Sequence, residues 1–359
     1  MITMRSSLDR IKPAVRALRA YSLSPDRGRV KINQNESPWD TPGPIKEETQ
    51  RRLKTRRWSR YPDFLPASLH ERLAEFSGWR SDGIIAGNGS NELIQALLMV
   101  TVGPGKRVLI SEPTFALYRQ ISTVLGGEVI SVPLTNDFSY DINALQKTVD
   151  ELQPDVTIAC SPNNPTGCVL SDEDLLTLLG SSSSLVVVDE AYHEFAGHSV
   201  VPFLKEHENL VVLRTFSKAM AMAALRVGYL LAAPQLASEI RKAVLPYNLN
   251  AVSQTAAEVA VEMYEDELRP RVRKTIAERE RLYSELAAIA GLRPVRSRAN
   301  FVVVHSSIDP RQVFGELIKR DILIRDVSGY PMLRDCFRVS VGTLEENDLL
   351  LSALREIFS

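Results

Sequence analysis

Apolar and polar positions along this chain follow two alternating rhythms. Short runs rich in β-branched residues, bounded by glycine, proline or serine, read as buried strands at 82–86, 107–111, 128–132, 156–159, 185–188 and 209–214. Between most of them lie stretches with apolar residues at helical spacing, which predict helices at 67–76, 91–100, 115–125, 142–151 and 172–179. Strands separated by helices imply βαβ units, and hence an α/β fold with a mainly parallel sheet flanked by helices. Beyond residue 233 the rhythm changes. A long helical region over 254–290, interrupted at Pro270, leads to a strand at 300–305, a helix at 311–320, strands near Leu323 and at 337–341, and a closing helix at 345–358. This predicts a smaller α+β domain, completed by an N-terminal arm that carries a short helix at 11–18. The expected division is an arm over 1–44, a large domain over 45–265 and a small domain over 266–359. The run 45–57 reads as a basic amphipathic helix whose charges face solvent.

Length and charge narrow the options. The chain has 359 residues, enough for two domains, and 43 Lys+Arg against 44 Asp+Glu. That balance gives no global attraction to nucleic acid or to an anionic membrane. No signal-peptide core is visible at the start, and no apolar run reaches spanning length. Cys160, Cys168 and Cys336 are too few for a disulfide framework and lack zinc-site spacing, so reduced thiols in a cytoplasmic protein without a metal are expected.

In open parallel sheets ligands bind beyond the carboxyl ends of the strands, so the polar residues there carry the chemistry. The run Val211-Val212-Leu213-Arg214-Thr215-Phe216-Ser217-Lys218 ends a buried strand on a lysine, with Arg226 close behind. At the rim of an apolar environment an ammonium loses solvation, and a nucleophilic amine becomes available. The turn Gly87-Asn88-Gly89-Ser90-Asn91 joins a strand to a helix; its amides suit a phosphate, or the turn simply caps the helix. Alone, Asp189 after three valines could cap a helix, 161–167 reads as a loop, Phe115 could belong to the core, and Arg226 could be a surface charge.

Together these segments narrow the reading. Ser-Pro-Asn-Asn-Pro-Thr-Gly (161–167), Asp-Glu-Ala-Tyr (189–192) and Ser-Lys followed by Leu-Arg-Val-Gly (217–228) resemble, in order and spacing, the pyridoxal-phosphate-dependent class II aminotransferases of the aspartate-aminotransferase fold, fold type I. The resemblance covers nearly the whole chain and implies a seven-stranded, mainly parallel sheet. It makes Lys218 the cofactor-bearing lysine and proton shuttle, Asp189 the partner of the pyridine nitrogen, and Asn164 and Tyr192 the partners of the phenolic oxygen. Lys218, Asp189 and Tyr192 form the implied catalytic set. Phe115 would stack on the ring, and Ser90, Asn91, Ser217 and Arg226 would hold the phosphate. Segments 33–39, 60–63 and 87–93, with Ile324-Arg325-Asp326 and 336–342, are similar to the histidinol-phosphate aminotransferases in particular. Ser37 departs mildly from that pattern, where asparagine is common. By that likeness Arg338, Arg325, Asn164 and Tyr21 contact substrate, and Tyr61 reaches the cofactor phosphate of the neighbouring subunit of a homodimer.

The reaction so implied moves the amino group of L-glutamate to imidazole-acetol phosphate, giving L-histidinol phosphate and 2-oxoglutarate in histidine biosynthesis. An aromatic-amino-acid aminotransferase is the nearest alternative, and a phosphothreonine decarboxylase a further one. A non-catalytic cofactor-sensing module would need a DNA-binding segment, for which the first 30 residues are too short. A nucleotide-binding α/β protein would need a dinucleotide fingerprint or P-loop, and the turn at 87–91 fits neither.

Overall fold

The computed structural model describes residues 7–20, 28–181 and 184–359. In chain order the strands are β1 Val30–Lys31, β2 Ile84–Gly87, β3 Arg107–Glu112, β4 Glu128–Pro133, β5 Val156–Cys160, β6 Leu185–Asp189, β7 Leu210–Thr215, β8 Gly228–Ala232, β9 Leu292–Pro294, β10 Phe301–Ser306, β11 Ile322–Leu323, β12 Arg325–Asp326 and β13 Cys336–Ser340. The α-helices that matter below are α1 Gly43–Leu53, α2 Ala67–Ser77, α3 Ser90–Thr101, α4 Leu117–Leu125, α5 Ala251–Glu262, α6 Arg269–Ala287 and α7 Leu344–Ile357.

A seven-stranded sheet with the order β2-β8-β7-β6-β5-β3-β4 forms the centre. Only β8 runs against the rest, pairing antiparallel with both β2 and β7. Successive residues of its strands enter opposite layers. Val186 and Val188 join one apolar cluster, and Val187 joins the other. Val212 and Val211 divide in the same way. With both faces covered, the strands can be continuous valine and leucine runs rather than alternating ones.

The second sheet is antiparallel, order β12-β13-β10-β9, and packs a third cluster against α6 and α7. The arm joins it directly: β1 pairs in parallel with β11, Val30 opposite Ile322. The predicted break at Pro270 takes a different form. After α5 the chain makes a π turn at Tyr264–Leu268, and Pro270 stands in the first turn of α6, where its missing N–H costs no hydrogen bond. The basic helix expected to reach residue 57 ends at Leu53, and strand β9 was not anticipated. Among the described residues, no helix is long and apolar enough to cross a membrane.

Candidate active site

A cavity of about 430 Å³ opens beyond the carboxyl ends of β5, β6 and β7, closed on the far side by the arm and by β12 and β13. Of the residues expected to carry chemistry, Ser90, Asn91, Phe115, Asn164, Asp189, Tyr192, Ser217, Lys218, Arg226, Arg325 and Arg338 all line it. Two do not. Tyr61 is 79% exposed and stacks on Tyr247 with ring centroids 4.4 Å apart, away from this chain's cavity. Tyr21 lies outside the described residues.

Lys218 follows β7, and its Nζ donates to the Gln34 carbonyl at 3.0 Å and sits 5.7 Å from the centre of the Tyr192 ring. Burial, then the Arg338 guanidinium, lowers its pKa to about 7; Arg226 and Lys31 add to the fall and Glu36 opposes it. A large fraction of this amine is therefore neutral near pH 7.

Asp189 ends β6, buried. Its Oδ2 accepts from the Tyr118 hydroxyl at 2.6 Å, and its Oδ1 accepts from the Ala191 amide at 3.0 Å. Burial pushes its pKa up, while those two donors pull it down. Among the described residues no cation pairs with it, and a buried carboxylate in that state calls for one.

The anion cradle combines backbone with two side chains. α3 starts after Gly89, which has φ +84° and makes no side-chain cap, so the helix start opens into the cavity bare. A Cβ on Gly89 would come within 2.5 Å of Arg226 Nη2. Arg226 is itself left-handed, φ +53°, and its Nη1 donates to Ser217 Oγ at 3.0 Å and to the Ala223 carbonyl at 3.1 Å. A helix start, a guanidinium and a hydroxyl converging on one point suit a phosphate.

Across the cavity Arg338 Nη1 donates to Asn164 Oδ1 at 2.5 Å, and its Nη2 donates to the Asn33 carbonyl at 2.8 Å. β12 places Arg325 directly opposite Arg338 in register. Tyr192 Oη accepts from Asn35 Nδ2 at 3.0 Å, and burial raises its pKa.

Sequence reasoning missed Tyr118 and Asn35. Tyr118 stands three positions after Phe115, one helical turn on, so a look for polar tips along α4 would have found it. Nothing in the linear order pairs Asn35 with Tyr192; the arm must first fold back.

A lysine of lowered pKa at a strand end, a buried acid without a cation and a phosphate cradle at a helix start define a pyridoxal-phosphate enzyme of fold type I. The described residues fit that cofactor: it would bring a protonated ring nitrogen to Asp189 and a dianion to the Gly89–Arg226 cradle. The family model for aminotransferases of class I and II matches residues 28–354. A histidinol-phosphate aminotransferase of Chlorobium phaeobacteroides is 39% identical over 347 residues, covering 96% of each chain. Histidinol-phosphate aminotransferase 1 of Carboxydothermus hydrogenoformans is 40% identical over 346 residues, covering 96% of this chain and 98% of that one. Among solved structures, the histidinol-phosphate aminotransferase of Sinorhizobium meliloti in complex with pyridoxal-5'-phosphate superposes with a TM-score of 0.88 at 26% identity, over 98% of each chain. The chain belongs to the class I and II aminotransferases.

Proposed function

We propose that the chain is a pyridoxal-phosphate-dependent transaminase that converts imidazole-acetol phosphate and L-glutamate to L-histidinol phosphate and 2-oxoglutarate. The observation that carries the reading is the convergence on one cavity of Lys218, Asp189, the Arg226 cradle and the arginine pair 325 and 338. The relatives named above, similar over nearly their full length, support the choice of substrate.

When bound, the cofactor supplies an aldehyde that carries the amino group and an electron-poor ring that stabilises negative charge at the substrate α-carbon. The chain does the rest. Asp189 holds the proton on the ring nitrogen, and Tyr118 and the Ala191 amide keep that carboxylate oriented. Ser90 and Asn91 through their amides, with Ser217 and Arg226, grip the phosphate. Phe115 supplies an aromatic face, and Asn164 and Tyr192 serve the phenolic oxygen. Neutral Lys218 would take the substrate α-proton and return it two bonds away, across the nitrogen. Arg338 and Arg325 receive the substrate anion, phosphate in one half-reaction and carboxylate in the other; both anions suit a guanidinium fork.

We assign the active enzyme to a homodimer. Trp58, Tyr61, Phe64, Leu65 and Leu245 are more than half exposed on one chain, and Tyr61, stacked on Tyr247 at that surface, is the residue offered to a neighbour's phosphate site. Three free cysteines suit a cytoplasmic location. The division into an arm to residue 44, a large domain to 265 and a small domain beyond is supported by the cluster that α6 and α7 form with β10 and β13. The test is a panel of L-histidinol phosphate, L-phenylalanine and L-tyrosine with 2-oxoglutarate. We expect kcat/KM highest for histidinol phosphate; a preference for the aromatic amino acids would replace this reading with an aromatic aminotransferase.

A further inference from the structure

Outside the cavity, a second group of reactive side chains meets at the far end of the small sheet. β10 and β13 pair antiparallel with His305 opposite Cys336, and Asp335 precedes the cysteine. His305 Nδ1 lies 2.9 Å from Asp335 Oδ2 and 3.3 Å from Cys336 Sγ, and that sulfur lies 3.5 Å from Asp335 Oδ1. We propose that His305, Asp335 and Cys336 form a binding site for one Zn(II) ion, with water as the fourth ligand.

Geometry carries the argument. Bond lengths of about 2.0–2.3 Å to nitrogen, oxygen and sulfur put tetrahedral ligand atoms about 3.3–3.6 Å apart. The nitrogen–sulfur separation lies within a few tenths of an ångström of such an edge, and one ligand atom from each of the three side chains lies within 4.8 Å of the other two. Without a cation the thiol donates to Asp335 Oδ1 while the imidazole bonds Oδ2; a cation would engage all three side chains at once.

The donor set of imidazole, carboxylate and thiolate selects zinc among the common divalent ions, since magnesium and calcium prefer oxygen alone. Coordination through Nδ1 leaves the imidazole proton on Nε2 and releases the thiol proton to solvent. One thiolate and one carboxylate then neutralise the ion. The site is reachable: Asp335 opens on a cleft of about 690 Å³ that Ser306, Ser328 and Arg334 also line, with room for the water.

Position gives the ion a structural consequence. The Phe138 ring stacks on the imidazole at 5.8 Å, so the site lies where the two sheets' layers meet. The segment leading into Asp335 carries Val327 and Tyr330, which wall the catalytic cavity. A metal at 335 and 336 anchors the far end of that wall to β10.

Cysteine spacing does not reveal the site, because 305 and 336 become neighbours only when the strands pair. The test uses untagged holoenzyme, freed of metal with a chelator and then equilibrated with Zn(II) or Co(II). One equivalent of zinc per chain is expected, and cobalt should give the intense visible bands of a tetrahedral sulfur-containing site. Cys336→Ser and His305→Gln should each weaken zinc binding by more than about 100-fold, beyond what outer-shell changes cause. Cys168→Ser should bind as the parent does. Should the buried substitutions prevent folding, Asp335→Asn, at an exposed side chain, takes their place with the same expectation. A parent protein that retains no zinc, or Cys336→Ser (Asp335→Asn in its stead) binding it equally well, overturns the proposal.

Discussion

The amine of Lys218 offers the sharpest test of the site, because its ionisation is set by neighbours that can be removed one at a time. Its pKa falls from 10.5 to about 7, with burial as the main cause and Arg338 next. That shift corresponds to about 5 kcal/mol of preference for the neutral amine. The cofactor-free enzyme exposes it directly. Trace acetylation with acetic anhydride, read by mass spectrometry of the Lys218 peptide over pH 5–11, should give a midpoint near 7. Arg338→Gln removes the second cause, and we expect the midpoint to rise by about one unit. Stability must follow the same titration. Between the folded pKa of about 7 and the unfolded value of 10.5 the unfolded chain holds a proton that the folded chain does not. The Lys218 penalty is thus full below pH 7 and disappears as pH rises to 10.5. Lys218→Met should stabilise the cofactor-free enzyme at pH 6 and have little effect near pH 10.5. A midpoint above about 9.5 in the parent protein would show a solvated ammonium and refute the assignment.

Other consequences are more local. Tyr118→Phe removes the 2.6 Å donor to Asp189, a hydrogen bond to a charged group worth about 1.5–3 kcal/mol. Turnover should fall roughly tenfold to 100-fold with the fold intact, and a rate within twofold of the parent would remove Tyr118 from the mechanism. Gly89→Ala places a methyl where Arg226 Nη2 lies, on a backbone with φ +84°. Cofactor affinity, measured by equilibrium dialysis, should drop far more than thermal stability does. Arg214→Met strands Glu190, which accepts from Arg214 Nε at 2.9 Å beneath β6 and β7, both side chains being almost wholly buried. A buried charge left alone costs about 3–5 kcal/mol, readable as a clear loss in denaturant midpoint.

The large domain was legible in the sequence because each of its signals is local. A valine run such as Leu185–Asp189 announces a strand wherever it occurs, and the polar residue ending it falls at the strand's carboxyl edge by the topology of parallel sheets. Lys218, Asp189 and the Gly89 turn were therefore placed on one rim before any contact was known. What escaped depends on chain segments that meet only in the folded molecule. Asn35 reaches Tyr192 after the arm has folded over the sheet, and its position is set by Ser340 Oγ, which accepts from the Asn35 amide at 2.8 Å. Strand β9 has three residues, too few for a period to emerge. The helix over 45–57 was drawn too long for the opposite reason. Its polar period continues past Leu53, but among the described residues only Ile45 and Thr49 of α1 are buried, and the basic residues beyond have no core face to hold them helical. Register across strands is the common factor. It turns residues 305 and 336, or 325 and 338, into neighbours, and a linear pattern contains no trace of which pairs will face each other. Both arginines were reached only by resemblance to a family; the register that sets Arg325 opposite Arg338 exists only in the paired strands.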